Sequence, residues 1–240
     1  MVADLGTSGS DTGTEWAYDL AGADELHRSV SEQAALGEVG ATELDVTVKA
    51  SCEAAVAHTV DTFGGLDVLV NNAGIVQSGA TEAFSEADWD RIFAVNTKGI
   101  FLMTQAALPA LKNSTHAAIV NTASIAGKKG YPRMAAYSGS KFAAIGITQS
   151  LAVELAPSGI TVNAICPGMV GTAMWLEHLL PGNTVDPQAR DAKFSAAMEK
   201  TIPLGRPKTT RDMGEAAVYL ASAANVTGIS LSVAGGYEMN

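Results

Sequence analysis

The sequence is short of cysteine, of aromatic side chains and of charge. Of its 240 residues two are Cys, 6% are aromatic and 17% are charged. Cys52 and Cys166 lie far apart, and they form neither a CxxC pair nor a metal-ligand spacing with the four His. The pattern predicts two free thiols in a reducing compartment and no metal site.

Positive charge and long apolar runs are also scarce. Fifteen Lys and Arg stand against 25 Asp and Glu, which gives a net charge of −10. A nucleic-acid groove or an anionic membrane surface needs clustered positive charge, so neither partner is expected. No apolar run reaches the ~18 residues of a membrane span, and no secretory signal opens the chain. We expect a soluble, cytoplasmic protein.

What the sequence does contain is a regular alternation of strands and helices. Hydrophobic residues make up 47%, and the length suits one domain over residues 1–240. Helices are predicted at 15–37, 48–64, 85–112, 131–157 and 211–222, and strands at 41–46, 66–74, 116–124, 159–168 and 227–236. Strand segments such as VLV and AAIV are continuously apolar, which is typical of strands covered on both faces. The prediction is an α/β fold with a doubly wound, mostly parallel sheet in three αβα layers.

Four of the predicted strands end in small or polar residues. They are Asp45 with Val46, the NNAG segment that ends at Gly74, Ser124, and Pro167 with Gly168. Ligands of doubly wound sheets bind beyond the carboxyl ends of the strands. The sequence therefore predicts a ligand site at this edge.

The segment AAYSGSKFA places Tyr137 and Lys141 four residues apart on a predicted helix, so they share one face. A tyrosine phenol with a pKa of ~10 is a weak base at neutral pH, and a nearby ammonium lowers that pKa. Such a pair can exchange a proton with an alcohol or carbonyl oxygen. A half-buried Tyr beside a solvated Lys is the alternative interpretation.

Several motifs together resemble those of the short-chain dehydrogenase/reductase family, in its single-domain form. NNAG, the Asn of VNTKG, the Ser of NTASIAG, YSGSK and CPGMVGT occur in the family's order and spacing. The resemblance covers roughly residues 41–240 and implies a Rossmann-type domain that binds NAD or NADP.

The resemblance implies roles for four side chains in hydride transfer between nicotinamide and a secondary alcohol or ketone. Tyr137 is the acid/base, and Lys141 lowers its pKa and holds the nicotinamide ribose. Ser124 bonds the substrate oxygen, and Asn96 holds a water that links Lys141 to solvent. The family also implies a dimer or tetramer built on the helices at 85–112 and 131–157.

The same resemblance implies cofactor contacts and a substrate lid. Adenosine-side contacts are Asp45, Val46, Asn72, Ala73 and Gly74, and nicotinamide-side contacts are Pro167, Gly168, Val170 and Thr172. The lid spans about 173–200, where Met174, Trp175, Leu176, Leu179 and Leu180 either pack over a partly apolar substrate or pack on the domain.

The opening stretch MVADLGTSGSDTG departs from the family pattern. Its glycines read GxxGxxxG instead of TGxxxGxG, and one strand, VADL, precedes residues 41–46. We interpret VADL as the family's second strand, with Asp4 at its end binding the adenosine ribose and selecting NAD over NADP. The family's first strand, glycine loop and first helix are then missing from this sequence. Three explanations are open: the start site is placed too far downstream, the sequence is a fragment, or the protein is a genuine short form. A missing central strand would leave unpaired backbone groups, each costing on the order of 1–3 kcal/mol.

A second departure lies in the last strand, where Ala234 stands at a position that many relatives fill with aspartate. We expect this to perturb local packing only.

Two rival functions remain open. One is a truncated, non-catalytic subunit or binding module, which the missing glycine loop favours. The other is a non-redox enzyme of the same fold, which the presence of Lys141 disfavours.

Overall fold

A computed structural model of the chain describes residues 1–4, 32, 37–172 and 187–239. The strands are β1 (Val2–Asp4), β2 (Ala41–Glu43), β3 (Val68–Asn71), β4 (Ala118–Thr122), β5 (Thr161–Pro167) and β6 (Ser230–Val233). The helices are α1 (Lys49–Phe63), α2 (Glu86–Phe93), α3 (Gly99–Leu111), α4 (Ala135–Leu155), α5 (Pro187–Thr201) and α6 (Thr210–Ser222).

The main sheet is parallel, in the order β3-β4-β5-β6. Neighbouring side chains of β4 point to different cores. Ile119 packs with apolar residues of α1, α3 and α4, and Val120 packs with Ile165 and with Leu220 of α6. Both faces of the sheet are therefore covered, which confirms the three-layer α/β prediction.

The strands form two sheets where the sequence predicts one. In the described part of the chain, β1 pairs only with β2, in parallel, with Asp4 opposite Glu43. The β3 strand pairs on one side, with β4, and its Val68 and Val70 are 38% and 47% exposed. Among the described residues, no strand pairs with the other edge of β3, where a central strand would lie. The pairing of β1 with β2 agrees with the interpretation of both as consecutive strands joined by a crossover.

The predicted helix limits hold where local signals define them. Helix α1 ends at Gly64, which adopts the left-handed conformation with φ 82° that glycine favours. Helix α2 begins after Ser85, whose side chain accepts a hydrogen bond from the backbone N–H of Asp88. The helix predicted at 15–37 lies outside the described residues, apart from Glu32.

The prediction of one continuous helix at 85–112 is wrong. A π-helical turn, Ala94–Lys98, separates α2 from α3. Apolar spacing cannot detect this turn because it inserts a single extra residue. Such turns frequently occur at functional sites.

A buried network of amides and hydroxyls fastens α3 and α4 to the sheet. The Asn71 amide donates to the Asn121 side chain at 2.9 Å and to Thr104 at 3.4 Å. Asn121 in turn donates to Thr148 at 2.9 Å. Because buried amides are costly without partners, this network fixes the helices against the strand ends.

Among the described residues, no helix combines the length and apolar character that a membrane crossing requires.

Candidate active site

A cavity of about 700 Å³ opens at the carboxyl edge of the main sheet. This volume is typical of pockets for small molecules and cofactors. Residues that follow three neighbouring strands line it: Asn72 and Gly74 after β3, Ser124 after β4, and Pro167 and Gly168 at the end of β5. The parallel register brings these strand ends together, as the sequence predicts.

Tyr137 and Ser124 face each other on one wall of the cavity. Tyr137 lies in the first turn of α4 and is 7% exposed, and Ser124 is 8% exposed. The Ser124 hydroxyl accepts a hydrogen bond from the backbone N–H of Ala126 at 3.1 Å. That bond fixes the hydroxyl at the start of a 3₁₀ turn, Ile125–Gly127, directly after β4.

Lys141 lies one helical turn beyond Tyr137 and is 3% exposed. Its Nζ donates to the carbonyl oxygen of Thr122 at 2.9 Å and lies 5.7 Å from the centre of the Tyr137 ring. The ammonium is thus held between the end of β4 and the face of the phenol. It occupies a fixed position and is not a solvated surface lysine.

The pKa values of this pair differ in part from the sequence-based expectation. Burial raises the pKa of Tyr137 above its ordinary value, and a hydrogen bond with Ser124 acts in the opposite direction. Burial also lowers the pKa of Lys141 from 10.5 to about 8. Desolvation is thus the largest influence on the pKa of the buried phenol, and the lowering by Lys141 that the family resemblance implies stays a prediction.

Asn96 lies behind the cavity wall, in the π-helical turn, and is 1% exposed. Its side chain holds the backbone of Ile75 from both sides, accepting from the N–H at 2.8 Å and donating to the carbonyl at 2.9 Å. It also donates to Ser140 at 3.0 Å, and Ser140 donates to the carbonyl of Tyr137 at 2.7 Å. This chain of bonds connects Ile75, the residue after the NNAG segment, to the helix that carries Tyr137.

The predicted nicotinamide-side residues all line the cavity: Pro167, Gly168, Val170 and Thr172. Gly168 is packed tightly, since a Cβ there would lie 2.9 Å from the Cα of Ala234. Ala234 is 2% exposed, and its small side chain allows the two segments to approach this closely. The departure at Ala234 therefore affects packing beside the cavity.

Other predicted contacts do not border the cavity in the described part of the chain. Asp45, Val46 and Ala73 are absent from its lining. Asp45 accepts hydrogen bonds from the N–H and hydroxyl of Thr47, and Val46 packs against Gly99. Asp4 lies at the carboxyl end of β1.

Of the predicted lid at 173–200, the structure describes residues 187–200. Met174, Trp175, Leu176, Leu179 and Leu180 lie outside the described residues. Helix α5 packs Phe194 and Met198 onto Met169 beside the cavity, and Phe194 is 3% exposed. This part of the predicted lid is docked on the domain.

Sequence reasoning missed two groups of the site. The Thr122 carbonyl binds Lys141, and the Ser140 hydroxyl joins Asn96 to the Tyr137 backbone. A backbone carbonyl carries no sequence signal. Ser140 does stand within the YSGSK motif, where its position one turn after Tyr137 was a usable signal.

The cavity fits the nicotinamide cofactor that the sequence predicts. A Cβ at Gly74 would lie 3.3 Å from Nζ of Lys141 and 3.5 Å from Oδ1 of Asn96, so glycine keeps that wall open. The lining also offers hydrogen-bonding groups on Asn72, Thr122 and Thr172. Open backbone and few polar groups are what a bound dinucleotide requires.

Replacing Lys141 with methionine is expected to flatten the alkaline stability profile. The folded pKa of about 8 lies below the ordinary 10.5, so the unfolded chain holds more protons between these values. The free energy of unfolding of the wild type should therefore gain on the order of 3 kcal/mol relative to the variant as pH rises from 8 to 10.5.

Urea unfolding of both proteins at pH 7, 8, 9 and 10 measures this difference. Lys129→Met is the matched control, because Lys129 is exposed on a nearby loop, and its profile should parallel the wild type. Parallel profiles for wild type and Lys141→Met would contradict the prediction.

The chain resembles known oxidoreductases over most of its length. A family model described as enoyl-(acyl carrier protein) reductase matches residues 10–238. A (2S)-[(R)-hydroxy(phenyl)methyl]succinyl-CoA dehydrogenase subunit of Thauera aromatica is 39% identical over 221 residues, which cover 90% of this chain and 84% of that protein. An L-2,3-butanediol dehydrogenase of Corynebacterium glutamicum is 40% identical over 200 residues, which cover 82% of this chain and 77% of the relative.

A solved structure shares the fold. The aldohexose dehydrogenase of Thermoplasma acidophilum, in ligand-free form, superposes with a TM-score of 0.79 at 31% identity. The match covers 88% of this chain and 89% of the other.

Proposed function

The chain belongs to the short-chain dehydrogenase/reductase family, and we propose that Tyr137 is the acid/base of its reaction. Its similarity to dehydrogenases of this family supports an NAD(P)-dependent oxidoreductase that interconverts an alcohol and a ketone. One observation carries the assignment: the hydroxyls of Tyr137 and Ser124 meet at one cavity wall, with the Lys141 ammonium over the ring.

The nicotinamide, when bound, supplies the two-electron redox chemistry. The protein supplies proton transfer and charge stabilisation. In ketone reduction the Tyr137 hydroxyl donates its proton to the carbonyl oxygen, and in alcohol oxidation the phenolate accepts it. The Ser124 hydroxyl donates a hydrogen bond to the same oxygen as negative charge develops there.

Lys141 has two roles in the proposed reaction. Its ammonium lies close enough to the Tyr137 ring to stabilise a phenolate once one forms. It would also hold the nicotinamide ribose, because Gly74 leaves its Nζ accessible from the cavity. Asn72, Gly168 and Thr172 would complete the cofactor contacts, with Asp45, Val46 and Ala73 on the adenosine side.

Asn96 and Ser140 are positioning residues in this scheme. Their hydrogen bonds join the NNAG backbone to the first turn of α4, so they keep Lys141 and Tyr137 in place. We retain the proposal that Asn96 holds a water beside Lys141, since its Oδ1 lies near the same side of Gly74 as Nζ.

We also propose that the enzyme prefers NAD and that Asp4 is responsible. The support is the position of Asp4 at the carboxyl end of β1, where the neighbouring strand pairs in parallel. A carboxylate there would accept hydrogen bonds from the ribose hydroxyls and repel the extra phosphate of NADP.

Asp4→Ser is expected to lower the ratio of kcat/KM for NAD to that for NADP by roughly tenfold, the value of one lost charged interaction of ~1.4 kcal/mol. Glu43→Ser is the matched control, because Glu43 pairs with Asp4 on the adjacent strand and is exposed. An unchanged ratio in Asp4→Ser would remove Asp4 from the proposal.

A direct assay tests the proposed function. Absorbance at 340 nm is followed with a panel of secondary alcohols and ketones, and NADH binding is measured separately by fluorescence titration. Cofactor turnover supports the oxidoreductase, whereas binding without turnover favours a module or a non-redox enzyme.

The proposed assembly is a homodimer or homotetramer formed through α3 and α4. Phe101 on α3 and Phe142 and Val153 on α4 are 50%, 48% and 78% exposed, so both helices offer apolar side chains to a second copy of the chain. Light scattering of the purified protein measures the mass. We place the enzyme in the cytoplasm, because Cys52 and Cys166 are both free thiols.

A further inference from the structure

The cavity differs in charge from the rest of the molecule. The chain carries 25 acidic and 15 basic residues. Among the described residues that line the cavity, the charged ones are Arg133 and Lys141, and no carboxylate lies beside them. A cavity of positive sign in an acidic protein favours an anionic ligand.

We infer that the substrate carries an anionic group, such as a carboxylate, and that the Arg133 guanidinium binds it. The inference rests on the proposed function, because it places the reacting hydroxyl or carbonyl of that substrate at Tyr137. It names the substrate class as hydroxy acids and the corresponding oxo acids.

Arg133 is the cation available for this role. The Lys141 ammonium already donates to the Thr122 carbonyl, and the proposed function assigns it to the nicotinamide ribose. Lys128, which follows the 3₁₀ turn after β4, donates to the Ser230 carbonyl at 2.6 Å and to the Ser232 hydroxyl at 3.0 Å. Arg133 is exposed, and within the described part of the chain its guanidinium takes part in no hydrogen bond or ion pair.

The backbone holds Arg133 in an unusual conformation. Its φ is 64°, and it is the single non-glycine residue with positive φ in the described ranges. Its carbonyl accepts a hydrogen bond from the N–H of Gly79 at 2.9 Å, which ties it to the loop after β3. A left-handed conformation costs an L-residue roughly 1–2 kcal/mol, and such strain is concentrated at ligand sites. The strain is consistent with a side chain that serves a ligand.

Neighbouring side chains complete a site for an acid with an apolar body. Tyr131 and Tyr237 line the cavity beside Arg133 and add aromatic surface. Met134 and Met213 line the same cavity and supply adaptable apolar surface. An arginine can bind both carboxylate oxygens at once, which also orients the substrate.

Matched pairs of hydroxy acids and their amides test the inference, because the amide keeps the shape of the carboxylate and loses its charge. The probes are 2- and 3-hydroxy acids of four to eight carbons and 4-hydroxy acids of five to eight carbons, all with a secondary hydroxyl. For the best of them, kcat/KM of the wild type is expected to exceed that of the amide at least about tenfold. In Arg133→Gln, kcat/KM for the acid should fall to the value for its amide, because KM for the acid increases. Arg133→Lys should restore part of the preference for the acid.

Lys129→Gln is the matched control, since it removes the same charge from an exposed position nearby that does not line the cavity. This variant should have the wild-type kcat/KM for both the acid and its amide. The inference is overturned if the wild type oxidises amides or neutral alcohols as well as acids, or if Arg133→Gln slows both members of a pair equally.

A binding measurement separates this inference from the proposed function. Thermal denaturation is recorded with the same hydroxy acids at increasing concentration. If no alcohol is turned over but the acids raise Tm in the wild type and not in Arg133→Gln, the proposed function fails and the anion site stands. If neither turnover nor a selective Tm increase occurs, both fail.

Discussion

Tyr137→Phe is expected to lower kcat by about 10³-fold, within the range that one positioned acid/base contributes. The change removes a single hydroxyl from a side chain that is 7% exposed. The ring would still pack against Val76 and Ala126. Cofactor binding, measured by NADH fluorescence, should therefore change by no more than about twofold.

The pH dependence distinguishes a chemical role of Tyr137 from a structural one. Because burial raises the pKa of the phenol, the protonated form predominates at neutral pH. In the wild type, the rate of alcohol oxidation should increase with pH as the base form becomes populated. The residual activity of Tyr137→Phe should lack this increase.

Tyr219→Phe is the matched control for this substitution. Tyr219 lies on α6, is 53% exposed and is not part of the cavity lining. It should have wild-type kcat and a wild-type pH profile. If Tyr137→Phe kept more than about a tenth of wild-type kcat, another group would have to be the acid/base.

The sequence predicted those parts of the fold that depend on local pattern. Continuous apolar runs identified β3, β4 and β5, because strands covered on both faces need no polar side. The predicted limits at 64 and 85 coincide with two helix ends of the structure, where Gly64 and Ser85 are the capping residues. The edge that carries the cavity followed from the strand ends, since parallel strands place their carboxyl ends together.

Contacts between distant segments could not be predicted in this way. Asn96 and Ser140 are 44 residues apart, and Lys141 is 19 residues from the carbonyl of Thr122 that it binds. Each contact depends on how a helix is rotated and translated against the sheet, which periodicity does not determine. The effect of burial on the pKa values of Tyr137 and Lys141 was missed for the same reason, because it depends on residues from several elements.

The opening of the chain shows the same limit at the level of the sheet. Strand pairing within β1-β2 agreed with the interpretation of residues 41–46 as the next strand. The separation of that pair from β3 and the exposure of Val70 were not expected. The cavity lining includes Val70, so the open edge of β3 is continuous with the candidate site.

Gly127→Ala is expected to destabilise the protein by about 2–3 kcal/mol, as an overpacked core position does. A Cβ at Gly127 would lie 2.5 Å from the carbonyl oxygen of Lys141 and 2.7 Å from its carbonyl carbon. Both atoms belong to the backbone of α4, which cannot rotate aside. Urea unfolding at pH 7 measures the loss.

The same substitution should impair catalysis beyond its effect on folding. Gly127 ends the turn that begins at Ser124, and its N–H donates to the Ser124 carbonyl at 2.9 Å. Relief of the clash must move this turn away from α4, and so separate Ser124 from Tyr137. A displacement of about 1 Å in such a site costs roughly a hundredfold in rate, so kcat of the folded fraction should fall by that order.

Gly146→Ala is the matched control, on α4, the helix that a Cβ at Gly127 would contact. Gly146 is exposed, and apart from its own helical turn nothing lies within 4 Å of the position that its Cβ would take. Alanine there should raise the free energy of unfolding by about 0.5–1 kcal/mol, because glycine disfavours the helix interior. Opposite signs for the two Gly→Ala changes would show that the close approach of the Ser124 turn to α4 holds the catalytic hydroxyls together. A stable, active Gly127→Ala protein would show that this approach is dispensable.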